Sequence, residues 1–163
     1  MNELTATVLL LAIAVGFLGW FWLAPGGVLG LRRLADGELQ VDVRFAYTPE
    51  TLYRLLEKYG ADGRRSFRRM LLADMLFPAV YGATLCLLAD SLAELRGAPP
   101  ESANIARIFA VCAAGFDYAE NALLLHVVHR FPARHTRAAR AAGVCTTLKM
   151  LSFLGVIAAL AAW

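Results

Sequence analysis

The chain has 163 residues, of which 59% are hydrophobic and 18% are charged, and its formal net charge is +3. A typical soluble domain has about 45–50% apolar and about 25% charged residues, so this balance argues against a water-soluble fold. The basic residues flank apolar stretches, where anionic lipid headgroups lie beside them, and this argues against a nucleic-acid-binding protein.

Four apolar stretches predict transmembrane helices. They cover residues 4–24, 70–93, 105–128 and 141–162. Each is apolar all round and long enough, at about 1.5 Å per residue, to cross a bilayer core of about 30 Å. The sequence therefore predicts an all-α membrane protein in which residues 1–163 form a single transmembrane domain, a four-transmembrane-helix bundle.

The first span is predicted to be a true membrane helix. The residues before it carry no basic side chain, unlike the start of a secretory signal, and Trp20 and Trp22 lie where an interfacial aromatic belt is expected. The stretch 4–24 contains no ionisable residue, so we expect this span to serve packing and anchorage.

The first loop, residues 31–69, is the only predicted extramembrane stretch large enough to fold. Over residues 39–47, large apolar side chains alternate with polar or small ones, which is the period of a β-strand. The Asp36-Gly37 pair before them would turn a small β-hairpin. A lone hairpin is marginally stable, so it would need support from the membrane surface, the rest of the loop or a partner.

Two helical segments are predicted after the hairpin. Thr48 and Pro49 give an N-cap and a proline at the first helical position, and an apolar stripe that ends at Gly60 predicts a short amphipathic helix. A basic helix then continues directly into the second span, and its arginines are Arg64, Arg65, Arg68 and Arg69. We expect these guanidinium groups to bind lipid headgroups, with a dedicated phosphate site as the alternative.

Lysine and arginine are unevenly distributed among the loops. The segment Arg32–Arg69 contains nine of them, the segment Arg130–Arg140 contains four, and the second loop offers only Arg96 and Arg107. By the positive-inside rule the first and third loops are cytoplasmic, and both termini lie outside. Abundant alanine, arginine and leucine indicate a GC-rich bacterial genome, so the predicted location is the bacterial cytoplasmic membrane.

Polar residues interrupt the second, third and fourth spans. An ionisable group in hydrocarbon is costly unless it is paired, hydrated or neutralised, so these residues carry the main functional information in the sequence. The second span has Asp74 and Tyr81 on one face, with Pro78 between them predicting a kink. The third span has Asp117, Glu120 and Asn121 on one stripe, and the fourth has Thr146, Thr147, Lys149 and Ser152.

These polar stripes are predicted to meet. Counting about 1.5 Å per residue from the cytoplasmic ends puts Asp74 roughly 6 Å into the core, and Glu120 and Lys149 both roughly 11 to 13 Å in. Asp117 and Tyr81 lie at roughly 17 Å. The sequence therefore predicts a polar pocket in the cytoplasmic half of the bundle. Its candidate catalytic residues are Asp74, Tyr81, Asp117, Glu120, Asn121 and Lys149.

The first functional hypothesis is a membrane-embedded enzyme or binding protein for a lipid or isoprenoid-like substrate. One lysine compensates only one of three carboxylates, so one acid is available to donate a proton while another accepts one or stabilises positive charge. Tyr81 and Asn121 would orient the substrate. In a second form of this hypothesis, Asp74, Asp117 and Glu120 hold Mg²⁺, because hard oxygen ligands suit that ion. The spacing of these three residues matches no established metal motif. No other cofactor is predicted.

Two hypotheses from other classes account for the same residues. In a proton-coupled carrier or ion-conducting subunit the carboxylates relay protons, and so narrow a bundle would require a homo-oligomer. In a structural or assembly protein the buried ion pairs only hold the helices together. The predicted partners are membrane lipids and a lipid-like or hydrophobic small molecule, without nucleic acid.

Short patterns along the chain resemble those of small four-span bacterial membrane proteins of uncharacterised function. They are Gly63-Arg64-Arg65-Ser66-Phe67, Asp74 with Phe77-Pro78 and Tyr81, Phe116-Asp117 with Glu120-Asn121, and Thr146 with Lys149. The resemblance extends over residues 40–155 and implies no activity. The sterol-isomerase and sigma-2-receptor group is similar only in placing helices around buried acids, an analogy that favours a lipid ligand.

Overall fold

The computed structural model describes residues 3–162, except for the side chains of Glu3, Leu4, Pro100 and Ser102. Met1, Asn2 and Trp163, at the ends of the predicted 1–163 domain, lie outside the described residues. The helices are α1 (Glu3–Leu23), α2 (Val28–Leu34), α3 (Pro49–Asp74), α4 (Phe77–Leu95), α5 (Pro100–Arg130) and α6 (Thr136–Ala161), with a 3-10 turn at Val41–Val43. Residues 3–162 contain no strand.

Four helical stretches are long and apolar enough to cross a membrane. They are Thr5–Leu34, Pro49–Leu95, Ala103–Arg130 and Thr136–Ala161. The predicted all-α class is thereby confirmed, and the four helical stretches have the length and hydropathy expected of a multi-pass integral membrane protein. The direction in which the bundle crosses the membrane stays a prediction.

Helix α3 begins where the capping pattern predicts and is interrupted at Gly60. The backbone N–H of Thr51 donates to Thr48 Oγ1 at 3.3 Å, and Pro49 lies in the first turn. Gly60 has φ 62° and ψ −171°, so the amphipathic helix ends there as predicted before the helix resumes. Its apolar stripe lies in the protein's own core and consists of Leu52, Leu55, Leu56 and Tyr59.

The predicted second span, residues 70–93, is divided between two helices. α3 carries the basic segment as far as Asp74, and α4 begins three residues later. Pro78 has no N–H to donate to the Asp74 carbonyl, so the regular helix cannot continue. The N–H groups of Met75 and Leu76 donate instead to carbonyls three residues earlier, at 3.3 and 3.1 Å. The kink predicted at Pro78 is therefore a full break.

The β-hairpin predicted around Asp36-Gly37 and residues 39–47 does not form. Gln40, Val41 and Asp42 are consecutive and all buried, so their side chains do not alternate between two faces as they would in a strand. The segment before the turn is helix α2, which leaves no neighbouring strand to pair with. We call residues 38–48 the connecting segment.

The connecting segment enters the bundle alongside α6. Lys149 Nζ donates to the Asp42 carbonyl at 3.3 Å, and a Cβ added to Gly143 would lie 2.7 Å from the Tyr47 carbonyl oxygen. The two α6 positions are about 9 Å apart along the helix, so the contact covers nearly two turns.

Helix α5 lies at the centre of the bundle. It packs against α6 and α4, while α1 packs on α4, and α3 packs on α5 near the connecting segment. Small residues allow the close approach, since Ala106, Ala110 and Ala113 of α5 are fully buried and Gly82 of α4 faces Ala114. Along their described lengths, α1 and α6 make little direct contact.

Glu38 fixes the start of the connecting segment through three basic side chains. Its carboxylate lies 3.1 Å from Arg44, 2.8 Å from Arg54 and 3.0 Å from Lys58. Hydrogen bonds from Lys58 and Arg44 lower the pKa of Glu38 from 4.5 to about 2. Glu38 therefore remains ionised in the folded protein at a pH where an unfolded chain would protonate it.

We expect the stabilisation from Glu38 to depend on pH in the acidic range. Because the folded-state pKa is depressed, this stabilisation is fully present above a pH of about 4.5 and is lost as the pH falls toward about 2. Thermal unfolding of the purified protein should show a difference in Tm between wild type and Glu38→Gln that shrinks over that range. A difference that stays constant from neutral pH to pH 2 would contradict these ion pairs.

Candidate functional site

Lys149 of α6 joins two acidic side chains of α5. Its Nζ lies 3.0 Å from Asp117 Oδ1 and 2.6 Å from Glu120 Oε2, and all three side chains are buried. Asp117 and Glu120 are three residues apart on one helix face, so both reach the same ammonium group. Charges removed from water in this way need close pairing and further hydrogen bonds to be tolerated.

Neighbouring helices provide those further hydrogen bonds. Tyr81 of α4 donates from its hydroxyl to Asp117 Oδ2 at 3.0 Å, so both carboxylate oxygens of Asp117 have a partner. The hydroxyl of Thr146 donates to Glu120 Oε1. Side chains of α4, α5 and α6 thus meet at one level, as the counting of residues along the spans predicts.

Asp74, at the end of α3, joins this group through α5. Asn121 Nδ2 donates to Asp74 Oδ2 at 2.9 Å. The structure therefore brings together all six residues that the sequence singles out, while their chemical roles stay predictions. We refer to Asp74, Tyr81, Asp117, Glu120, Asn121 and Lys149, together with Gln40 and Asp42 of the connecting segment, as the polar cluster.

Gln40 and Asp42 are the members of the cluster that the sequence analysis misses. They are 3% and 9% exposed, and Gln40 Nε2 donates to Asp42 Oδ2 at 3.0 Å. Burial raises the pKa of the Asp42 carboxyl well above its usual range, and the negative charge of Glu120 raises it further. In the sequence, Gln40 and Asp42 alternate with apolar residues. A strand with that period would place both side chains on its solvent-facing side, so their burial is not expected.

A cavity of about 410 Å³ lies beside the polar cluster. Its polar end is formed by Gln40, Asp42, Asp74, Tyr81, Asp117 and Lys149. Glu120 and Asn121 lie behind this wall, where they hold Lys149 and Asp74. The predicted site residues thus form two layers, and only the first can contact a bound molecule. The volume is within the range of about 300–1,000 Å³ found for small-molecule pockets.

The remaining walls of the cavity are mostly apolar and open between α1 and α6. Leu11, Leu18 and Trp22 of α1 line it and are 50%, 45% and 39% exposed. Met150 and Phe153 of α6 line the opposite side. Leu11 and Trp22 are roughly 16 Å apart along the helix axis, so the opening is elongated. The first span, expected only to pack and anchor, therefore also forms a wall of the cavity.

The acidic residues do not form a metal-binding arrangement. Among the described residues, no three His, Cys, Asp or Glu side chains are placed to hold a metal ion. Asp117 and Glu120 contact Lys149, and Asp74 accepts a hydrogen bond from Asn121. The Mg²⁺ variant of the enzyme hypothesis therefore has no geometric support.

The four arginines predicted to bind headgroups differ in their surroundings. The guanidinium carbon of Arg64 lies 4.4 Å from the centre of the Phe131 ring, so this arginine is folded onto the α5–α6 turn. The other three, Arg65, Arg68 and Arg69, are exposed. Arg64 and Arg65 already have partners within the chain, since Arg65 pairs with Asp62, and headgroup binding stays a prediction for all four arginines.

The lining of the cavity determines the chemistry available there. Its carboxyl groups can accept or donate protons, the hydroxyl oxygen of Tyr81, whose hydrogen is donated to Asp117, can accept a hydrogen bond, and the apolar walls exclude water. A molecule with a hydrocarbon body and one polar end fits this distribution. Comparison of the chain with protein-family models, with curated proteins and with solved structures finds no match.

Proposed function

We propose that this membrane protein binds a lipid or isoprenoid-like molecule in the cavity between α1 and α6. The observation that carries the proposal is the cavity of about 410 Å³, which is apolar along its walls and charged at one end. The polar end of the molecule would contact the polar cluster, and its hydrocarbon body would lie along α1 and α6. The opening between these helices supplies a route from the bilayer.

We further propose that the carboxyl groups facing the cavity perform acid/base chemistry on the bound molecule. Asp42, Asp74 and Asp117 line the cavity, where a carboxyl group can act as a proton donor or a proton acceptor. One of them would donate a proton while another accepts one or stabilises positive charge. Tyr81, fixed by its hydrogen bond to Asp117, would orient the polar group.

The other two hypotheses explain the buried charges but not the cavity. A purely structural role accounts for the ion pairs of Lys149, yet it gives the open cavity beside them no use. An ion-conducting subunit needs a polar path through the bilayer, whereas the cavity walls away from the polar cluster are mostly apolar. The distribution of basic residues supports placing the cluster in the cytoplasmic half of a bacterial cytoplasmic membrane.

Binding is tested by photolabelling the protein in lipid nanodiscs with a diazirine analogue of farnesol. Ala14 is buried on α1 and lines the cavity, so the ring introduced by Ala14→Phe would occupy the space of the ligand. We expect this substitution to reduce labelling of the cavity walls by about tenfold or more. Labelled peptides, identified by mass spectrometry, should include those containing Leu11 and Met150.

Ala12→Phe is the matched control for this experiment. Ala12 is exposed on the same helix and lies outside the cavity wall, so the same ring should leave labelling at the wild-type level. Size-exclusion chromatography and thermal unfolding establish that both variants are folded. Equal labelling of wild type and folded Ala14→Phe would refute binding in this cavity.

A further inference from the structure

The polar end of the cavity contains hydrogen-bond acceptors that no donor satisfies. Gln40 Oε1 and Asp42 Oδ1 are buried and have no hydrogen-bond partner within the described part of the chain. Both side chains are more than nine-tenths buried and line the cavity. A buried acceptor left without a donor is unfavourable, so these two atoms indicate where a ligand would place donating groups.

The same end of the cavity has more acidic side chains than cations. Four acids of the polar cluster, Asp42, Asp74, Asp117 and Glu120, lie around a single lysine, Lys149. Lys149 is already shared by Asp117 and Glu120, and no other lysine or arginine belongs to the described cavity wall. Asp42 and Asp74 therefore lack a cation of their own.

Aromatic rings surround this acidic end. The ring centres of Phe77 and Tyr81 are 5.2 Å apart, as are those of Tyr81 and Phe153. All three residues line the cavity. Aromatic faces attract cations, and the attraction is stronger where water is excluded. Carboxyl groups and aromatic rings together form an environment that suits an ammonium group.

Resting on the proposed function, we infer that the molecule bound in the cavity is a cationic amphiphile, a long-chain primary amine whose ammonium donates to Gln40 Oε1 and Asp42 Oδ1. An ammonium group supplies three N–H donors and one positive charge, whereas an alcohol supplies one donor and no charge. A carboxylate or phosphate would add to the negative charge. The positive charge of the ligand favours the ionised form of Asp42.

The test measures how well amphiphiles with the same alkyl chain compete with the photoreactive farnesol analogue in nanodiscs. The competitors are dodecylamine, dodecanol, dodecanoate and dodecyltrimethylammonium. The difference in labelling between wild type and Ala14→Phe defines binding in the cavity. We expect dodecylamine to compete roughly 10- to 100-fold better than dodecanol, because a hydrogen bond to a charged group is stronger than a neutral one. Dodecyltrimethylammonium, which is charged but has no N–H group, should be weaker than dodecylamine.

Substitutions in the connecting segment test which side chains recognise the ammonium group. Asp42→Asn keeps the shape of the side chain and removes its charge, and it should reduce the preference for amine over alcohol to within about threefold. Asp62→Asn, at an exposed acid of α3, is the matched control and should leave the preference unchanged. Gln40→Leu removes the other unpartnered acceptor and serves as a second variant should Asp42→Asn fail to fold.

The outcomes separate this inference from the proposed function. Equal competition by dodecylamine and dodecanol that is still lost in Ala14→Phe would overturn the cationic ligand and leave lipid binding standing. No competition by any of the four compounds, with equal labelling of wild type and Ala14→Phe, would overturn both. An amine preference that persists in both Asp42→Asn and Gln40→Leu would overturn the assignment of these residues.

Discussion

Replacing Lys149 with methionine is expected to destabilise the protein by about 3–5 kcal/mol. Methionine preserves most of the apolar length of the side chain but removes the cation that lies 3.0 Å from Asp117 and 2.6 Å from Glu120. Two buried carboxylates would then face each other without a compensating charge. Equilibrium unfolding of the purified protein in detergent micelles, compared with wild type, measures the loss.

Two further variants test whether the loss of stability is specific to the buried lysine. Lys58→Met removes a lysine whose side chain is 29% exposed and pairs with Asp36 and Glu38 near the surface, so we expect a much smaller loss of stability than for Lys149→Met. Combining Lys149→Met with Asp117→Asn and Glu120→Gln should recover most of the stability, because neutral side chains need no cation. Equal losses for the two single lysine variants would contradict the buried pairing.

Gly143→Ala is expected to destabilise the protein by about 1–3 kcal/mol, although alanine forms helices more readily than glycine. Its Cβ would lie 2.7 Å from the carbonyl oxygen of Tyr47, a backbone atom that cannot rotate away. The connecting segment would have to move, and Gln40 and Asp42 would move with it. Faster amide hydrogen exchange over residues 40–47 should therefore accompany the loss of stability.

Gly115→Ala provides the matched control for this substitution. Gly115 also lies within a helix, but nothing approaches within 4 Å of a Cβ placed there. The change should stabilise the protein by about 0.4–1 kcal/mol and leave hydrogen exchange of the connecting segment unchanged. Similar stability of the two variants would mean that the connecting segment does not pack closely on α6.

The spans follow from the sequence because apolar length is a property of each segment alone. The predicted stretch 105–128 falls within the helix Pro100–Arg130, and the stretch 141–162 largely coincides with Thr136–Ala161. That Asp117, Glu120 and Lys149 meet at one level of the bundle is also predictable, since helix rise converts sequence position into height along each helix. Neither inference requires knowledge of how the helices pack.

The connecting segment is not predictable in the same way. Its alternating pattern is compatible with a strand, and only its packing on α6 determines that Gln40, Val41 and Asp42 are all buried. The layering of the site is similarly a property of packing. Glu120 lies behind the cavity wall and Asp117 lies in it because of where α4 and α6 meet α5, which helical spacing does not specify.

The cavity likewise depends on an arrangement that no single segment encodes. Helix α1 packs on α4 and leaves a space toward α6, which places Leu11 and Trp22 opposite Met150 and Phe153. From its sequence, the stretch 4–24 is an apolar anchor without ionisable residues. Its place in the cavity wall depends on its position opposite α6, with which it makes little direct contact.

The structure of the protein determined in lipid nanodiscs tests the central claim most directly. We expect elongated density between α1 and α6, with its polar end within about 3 Å of a side-chain oxygen of Gln40, Asp42 or Asp117. Direct packing of α1 on α6, with the cavity closed and no density beside Lys149, would contradict it.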